Sequence, residues 1–169
     1  MSEKRAKIAF LAIGSNLGKR KKNIYLTKYY LKKKNITIVK SSSKYESLSW
    51  PNKKNPKFIN IVLKVKTFLT PQNLMNACLK IEKKIGRIRN KKNEPRVCDI
   101  DIIDYEGIII KNKKSSELSL PHPKMHKRNF VLLPLFEISK TWIHPIKKIK
   151  IKELVNSLKT NDLKSIKLI

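Results

Sequence analysis

The sequence predicts an α+β sandwich: one mostly antiparallel sheet with helices packed on it. Two observations predict it. Apolar periodicity runs strand, helix, strand, strand, helix, strand along the chain, and caps and turn residues punctuate each change of period. With no repeat and no linker in 169 residues, a single domain over residues 1–169 is expected.

Residues 8–13 form a short apolar run ended by Gly14-Ser15-Asn16-Leu17-Gly18, a strand and then a turn. Residues 23–33 place Ile24, Leu26, Tyr29, Tyr30 and Leu31 at helical spacing, and 36–45 reads as a second strand. Residues 47–57, with Trp50-Pro51 and Asn55-Pro56, form a loop, and 58–65 alternates as a strand should. Thr70-Pro71 supplies an N-cap and a first-turn proline for a helix that turns Leu74, Ala77, Cys78, Ile81 and Ile85 inward and stops at Gly86. After a lysine-rich loop over 87–95, residues 97–105 form a strand that 107–110 should continue or pair with. Residues 130–138 read as a helix that Pro134 must kink or interrupt, and the tail offers one further helix at 151–158. The order β-α-β-β-α-β matches a ferredoxin-like sandwich, with helices on one face and the other face free for a site.

The net charge of +28 invites a nucleic-acid reading. Its make-up argues otherwise. Only six of the 40 basic residues are arginines, and the lysines are spread from end to end among many Asn and Ile residues, the usage an AT-rich genome would impose. A nucleic-acid reader concentrates charge and favours Arg for bidentate contacts. No apolar run approaches the ~20 residues that span a bilayer. The N-terminus reads as a first strand rather than a signal peptide, and two cysteines make neither a disulfide framework nor a metal pattern. The expectation is a cytoplasmic protein with no membrane partner.

The sharpest chemical feature is Pro95-Arg96-Val97-Cys98-Asp99-Ile100-Asp101-Ile102-Ile103. On a strand Asp99 and Asp101 point the same way, and Cys98, Ile100 and Ile102 the other. A divalent cation resolves the repulsion of two such carboxylates, and Mg²⁺ typically takes one or two of them plus water and phosphate oxygens. The alternative is a solvent-facing stretch of edge strand. Where lysine is the default cation, Arg87, Arg89, Arg96 and Arg128 suggest planar, bidentate roles toward phosphate, against surface or structural pairs. The Gly14–Gly18 turn lacks the ending of a P-loop and reads as structural. His122 and His126 have a spacing zinc could use on a helix, but Pro123 opposes helix there and no third ligand type is near. Phe58 and Phe130 look like core aromatics.

Taken in order, these segments resemble the 6-hydroxymethyl-7,8-dihydropterin pyrophosphokinase family. The resemblance rests on Gly14-Ser15-Asn16-Leu17-Gly18, Phe58-Ile59-Asn60, Ile81-Glu82 with Gly86-Arg87-Ile88-Arg89, the Pro95 to Ile103 run, Leu120-Pro121-His122-Pro123 with Arg128, Phe130-Val131-Leu132, and Pro134-Leu135-Phe136-Glu137-Ile138. It covers residues 8–145. It implies a ferredoxin-like fold, a step in folate synthesis, and ATP and the pterin as partners. Asp99 and Asp101 would hold two Mg²⁺ ions and, with Arg87 and Arg96, form the catalytic group. Phe58 and Phe130 would sandwich the pterin, with Asn60 at its polar edge and the backbone around Ser47 and Leu48 completing it. Glu82, Arg87, Arg89, Arg96, Ile102, Ser119, His122 and Arg128 would line the nucleotide site. The chain departs from the family pattern at Asn93, Glu94, Glu117 and Leu79, positions that bear on the ATP-side contacts and on loop closure.

The implied chemistry is attack of the pterin hydroxymethyl oxygen on the β-phosphorus of ATP, with AMP leaving. Such transfers need in-line positioning and charge neutralisation more than covalent help, and no dedicated general base stands out. A monomer without specific nucleic-acid binding is expected. The rivals are an RNA-binding module of the same fold, which would want aromatics interleaved with glycine on its central strands, and a catalytically dead relative.

Overall fold

β1 (Lys7–Ser15) and β4 (Phe58–Thr67) form the centre of the sheet, antiparallel from Lys7↔Thr67 to Ser15↔Ile59. They belong to a computed structural model that describes residues 5–89, 93–112, 114 and 117–169. Around them lie α1 (Arg20–Lys33), β2 (Thr37–Ser41), β3 (Tyr45–Ser47), α2 (Pro71–Ile85), β5 (Asp99–Tyr105), a 3-10 turn (Met125–Lys127), α3 (Asn129–Ile138), α4 (Ile151–Asn156), α5 (Thr160–Lys164) and β6 (Ile166–Leu168). β5 pairs with the free side of β1, and β2 and β3 follow one another along the far edge of β4. All named pairs are antiparallel. This is the predicted β-α-β-β-α-β sheet with two additions, β3 and β6.

Alternation divides the sheet into two faces. Leu11, Ile13, Ile61, Leu63 and Ile102 point toward α1 and α2, where they meet Ile24, Leu31, Leu74 and Ile81 in one fully buried core. Phe10, Val62 and Ile103 point the opposite way and pack with Val131, Leu132 and Leu135 of α3 and Ile151 and Leu154 of α4. Helices therefore cover both faces, and the expectation of a bare second face is corrected. α3 is apolar nearly all round, so it needs burial on its own account, and it takes part of that face. The site occupies the rest.

The α2 prediction holds at both ends. The Thr70 hydroxyl accepts from the Asn73 N–H at 3.3 Å, and Gly86 takes the left-handed conformation, φ 105°, that releases the chain.

Four expectations change. The strand over 36–45 is two pieces: between β2 and β3 the Ser42 N–H donates to the Val62 carbonyl at 2.9 Å, but the returning Val62 N–H goes to the Ser42 hydroxyl at 2.9 Å, so a side chain replaces one bond of the ladder. Residues 107–110 neither continue β5 nor pair with it; the chain reverses at Glu106 and Gly107, both at positive φ, and Ile110 bridges to Leu120. Pro134 does not interrupt α3, whose buried Val131, Leu132 and Leu135 offset the hydrogen bond it removes. The tail helix stops at Asn156, and α5 and β6 follow it. Of the loop read over 87–95, residues 90–92 lie outside the described residues.

Candidate active site

Three strands meet in one row. Gly14 of β1 sits between Asn60 of β4 and Asp99 of β5, and Ala12 sits between Val62 and Asp101. Adjacent strands are ~4.8 Å apart, so Asn60 and Asp99 stand about 10 Å from each other across a floor of Gly and Ala. A Cβ at Gly14 would lie 3.2 Å from the Phe58 ring and 3.3 Å from Asn60 Oδ1. The absence of a side chain there keeps a slot open.

Phe58, Asn60, Ser47, Leu48, Phe130, Arg96, Asp99, Asp101 and Arg128 all line this slot. Asn60 is 5% exposed and its amide hydrogens are engaged, by the Ser47 hydroxyl at 2.9 Å and the Tyr45 carbonyl at 3.4 Å. Its carbonyl oxygen is the end left for a ligand. The guanidinium of Arg96 stacks 5.0 Å over Phe58 and that of Arg128 5.6 Å over Phe130. The Nε atoms of both arginines are buried without a hydrogen-bond partner among the described residues, as in a site built for an acceptor.

A second groove, on the other side of Asp99 and Asp101, is lined by Glu82, Arg87, Arg89, Ile102, Ser119, His122 and Arg128, with Lys114 and Lys124. Asp99, Asp101 and Arg128 are common to both cavities. The Gly86 turn makes this possible: it sends Arg87 back so that its Nη1 donates to Glu82 at 2.7 Å, to the Cys98 carbonyl at 3.1 Å and to Asp99 at 2.5 Å. Glu82, 2% exposed, also accepts from the Ile100 N–H at 2.7 Å and pairs with Arg89. Burial pushes the Glu82 carboxyl above its usual range, against the pull of Arg87.

The two aspartates differ. Burial works to raise Asp99, but Arg96 at 2.7 Å and Arg87 more than reverse it, and its carboxyl falls below the ordinary value. Asp101 is raised, first by burial and then by the Asp99 charge. His122, with Nε2 at 3.7 Å, Arg128 at 3.2 Å and the charge of Arg96 oppose that. His122 Nδ1 accepts from the Lys124 N–H at 3.2 Å, so its neutral ring carries the proton on Nε2, facing Asp101. Burial lowers the His122 pKa despite Asp101. His126 points elsewhere, edge-on to His144 with centroids 6.1 Å apart.

Every residue expected at the site thus borders one cavity or both. Arg96 departs in detail, lining the slot rather than the nucleotide groove. Glu117 and Leu79 line the groove, whereas Asn93 lines the slot and so does not lie on the ATP side as expected. Trp50, Gly14 and Asn16 were missed. Trp50 borders the slot under Lys124, 5.7 Å from its ring. Asn16 is 2% exposed and ties Arg96 from both sides: its N–H donates to the Arg96 carbonyl at 3.0 Å and its Oδ1 accepts from the Arg96 N–H at 2.7 Å. Its Nδ2 also donates to the Pro56 carbonyl at 3.0 Å, fixing the approach to Phe58. A lone Trp in a polar loop is the available signal for the first; the other two lie in the Gly14–Gly18 turn, which reads as structural and names no contact with the slot.

A flat slot and a basic groove meet at a carboxylate pair, a geometry with room for a planar molecule to face a polyphosphate. The chain belongs to the 7,8-dihydro-6-hydroxymethylpterin-pyrophosphokinase family, whose model matches residues 10–140. It is 41% identical over 145 residues to the 2-amino-4-hydroxy-6-hydroxymethyldihydropteridine pyrophosphokinase of Aquifex aeolicus, covering 85% of this chain and 88% of that protein. It is 43% identical over 138 residues to the folic acid synthesis protein FOL1 of Dictyostelium discoideum, 82% of this chain but only 20% of that longer protein. The fold matches a doubly substituted variant of the HPPK-DHPS of Plasmodium falciparum with pterin and p-hydroxybenzoate at a TM-score of 0.78 and 18% identity, covering 99% of this chain and 48% of that one. No helix among the described residues is long and apolar enough to cross a membrane.

Proposed function

We propose that this chain transfers the diphosphate of ATP to the hydroxymethyl group of 6-hydroxymethyl-7,8-dihydropterin, releasing AMP, as a single-domain cytoplasmic monomer with no specific nucleic-acid partner. The observation that carries the reading is the sharing of Asp99, Asp101 and Arg128 between the aromatic slot and the basic groove. A ring in the slot and a triphosphate in the groove meet there.

Phe58 and Phe130 hold the pterin, Asn60 accepts from its polar edge, and the backbone at Ser47 and Leu48 closes the end. Arg87, Arg89, Arg128, His122, Ser119, Ile102 and Glu82 form the nucleotide side, Glu82 by holding Arg87 and Arg89. Arg96 reaches toward the transferred group from the slot wall. The donor set fits magnesium: hard carboxylate oxygens on one strand face, one of them raised by burial and then by its neighbour's charge. Asp99 and Asp101 would hold two Mg²⁺ ions, which when bound neutralise phosphate charge and orient the reacting oxygens. The protein's own groups align the hydroxymethyl oxygen with the β-phosphorus, keep water out and balance charge with guanidinium groups.

The test is direct: purified protein with ATP, Mg²⁺ and hydroxymethyldihydropterin should release AMP and the pterin diphosphate in equal amounts. ADP, or no product, would sink the reading.

A further inference from the structure

The segment 160–169 lies beyond the residues matched by the family model, yet it touches both walls of the slot. β6 pairs with β3 in the register Tyr45↔Leu168, Glu46↔Lys167 and Ser47↔Ile166, so it forms the outer edge of the strand that carries Ser47. The Leu48 N–H donates to the Ser165 carbonyl at 3.4 Å, and the Ile169 N–H to the Lys44 carbonyl at 3.0 Å. Lys167 adds an ion pair to Glu46 at 3.7 Å.

The same segment holds the opposite wall. Asn129, 9% exposed and next to Arg128 and Phe130, donates through Nδ2 to the Asp162 carbonyl at 2.5 Å and to the Ser165 hydroxyl at 3.0 Å. That hydroxyl donates in turn to the Asp162 carbonyl at 2.8 Å. Ser165 is therefore a joint: its carbonyl holds the Leu48 wall and its hydroxyl holds the start of α3. The direct tie between these walls, from Glu137 to the Ser43 hydroxyl at 2.9 Å and the Tyr45 hydroxyl at 2.8 Å, is more than a helical turn away from Phe130.

We infer that 160–169 is a brace that sets the width of the aromatic slot, with Ser165 and Asn129 as positioning residues for the flat substrate. The inference rests on the reading of the slot as the pterin site. Neither residue lines the slot or the groove, but Ser47, Leu48 and Phe130, which the brace holds, line the slot and not the groove, so the effect falls on ring binding. A stacking ligand is sensitive to wall separation because dispersion falls steeply with a gap of even 0.5–1 Å.

The experiment uses the full chain with Ser165→Ala, Asn129→Ala and the conservative Ser165→Thr. Calorimetric titration with hydroxymethyldihydropterin, in the presence of a non-hydrolysable ATP analogue and Mg²⁺, should show about a fivefold to tenfold weaker Kd for both alanine variants. Ser165→Thr should restore it, and the Kd of the analogue alone should stay within twofold throughout. In the ligand-free proteins, hydrogen exchange should quicken at Leu48 and Phe130 in Asn129→Ala and leave β1 unchanged. Unchanged pterin affinity, or equal weakening of both ligands, overturns the brace. If the unaltered protein takes no pterin, the functional reading fails separately, and the exchange rates at Leu48 and Phe130 still decide whether the walls are coupled.

Discussion

Asp99 and Asp101 leave the same face of β5, yet the protein holds them in opposite electrostatic states. Asp99 has one oxygen on Arg87 and the other on Arg96, and its carboxyl is depressed. Asp101 shares one oxygen with Arg128 and faces His122 at 3.7 Å, and its carboxyl is raised. One aspartate is already neutralised; the other carries a charge that the ligand-free fold tolerates poorly. That asymmetry makes Asp101 the carboxylate with most to gain from an added cation.

Asp101→Asn should therefore raise the melting temperature of the ligand-free protein at neutral pH while removing nearly all activity. An acid whose folded pKa is raised binds its proton more tightly in the fold, so its charge costs stability as pH rises from its ordinary value of 3.8 through the folded one. The benefit of Asn should accordingly be full above that window and vanish below it. In a chain of this size each 1 kcal/mol moves the melting temperature by roughly 2–4 °C. Thermal melts of both proteins between acid and neutral pH check this, and a variant less stable at every pH would refute it.

Glu82 and Arg89 form one ion pair with unequal ends. Glu82 is 2% exposed and serves Arg87, Arg89 and the Ile100 N–H, whereas Arg89 is 57% exposed. Removing one partner of a buried pair costs about 3–5 kcal/mol, and an exposed one about 1 kcal/mol or less. Urea unfolding should rank Glu82→Ala far below Arg89→Ala, with Glu82→Gln between them. Similar midpoints for Glu82→Ala and Arg89→Ala would show that Glu82 does not organise the Arg87 turn.

Gly14→Ala tests the floor of the slot. The backbone there suits alanine, since Gly14 is not among the positive-φ glycines, but the new Cβ presses on Phe58 and Asn60. Overpacking of this kind costs ~1–3 kcal/mol. Pterin affinity should fall about tenfold, the equivalent of ~1.4 kcal/mol, with ATP-analogue affinity untouched. Titration of each ligand measures both; a loss confined to the nucleotide would place the slot elsewhere.

The central sheet was legible because its signals are local: alternation in β4, the Thr70 cap and Gly86 stop of α2, and the Asp99-x-Asp101 spacing in β5. The brace was not. β6 pairs with β3 from more than a hundred residues away, and its short sequence carries no pattern that names a partner. α3 was found as a helix but not placed, because an all-round apolar segment does not say which face of the sheet it will cover. Asn16 belongs to the structural turn that the sequence shows; its three bonds to Arg96 and Pro56 depend on loops that only the folded chain brings together.

Phe130 separates a stacking role from a core role. By sequence it is an ordinary core aromatic, and its ring does pack partly against the α3 core. It also borders the slot, with Arg128 over it and Phe58 lining the same cavity. Aromatic stacking contributes about 0.5–1.5 kcal/mol beyond area burial, so losing the ring should weaken pterin binding by about tenfold or somewhat less. Phe130→Ala also opens space in the core, so Phe130→Leu is the sharper variant: it fills most of the volume and supplies no ring face. Phe130→Leu should melt close to the unaltered protein, bind an ATP analogue alone normally, and bind the pterin several times more weakly. A core role predicts the reverse order, with Leu nearly silent toward both ligands and Ala damaging both alike. Calorimetric titration of the two variants beside their thermal melts distinguishes these outcomes. Unchanged pterin affinity in a well-folded Phe130→Leu protein would take this ring out of the slot, leaving Phe58 as the one phenyl face there among the described residues.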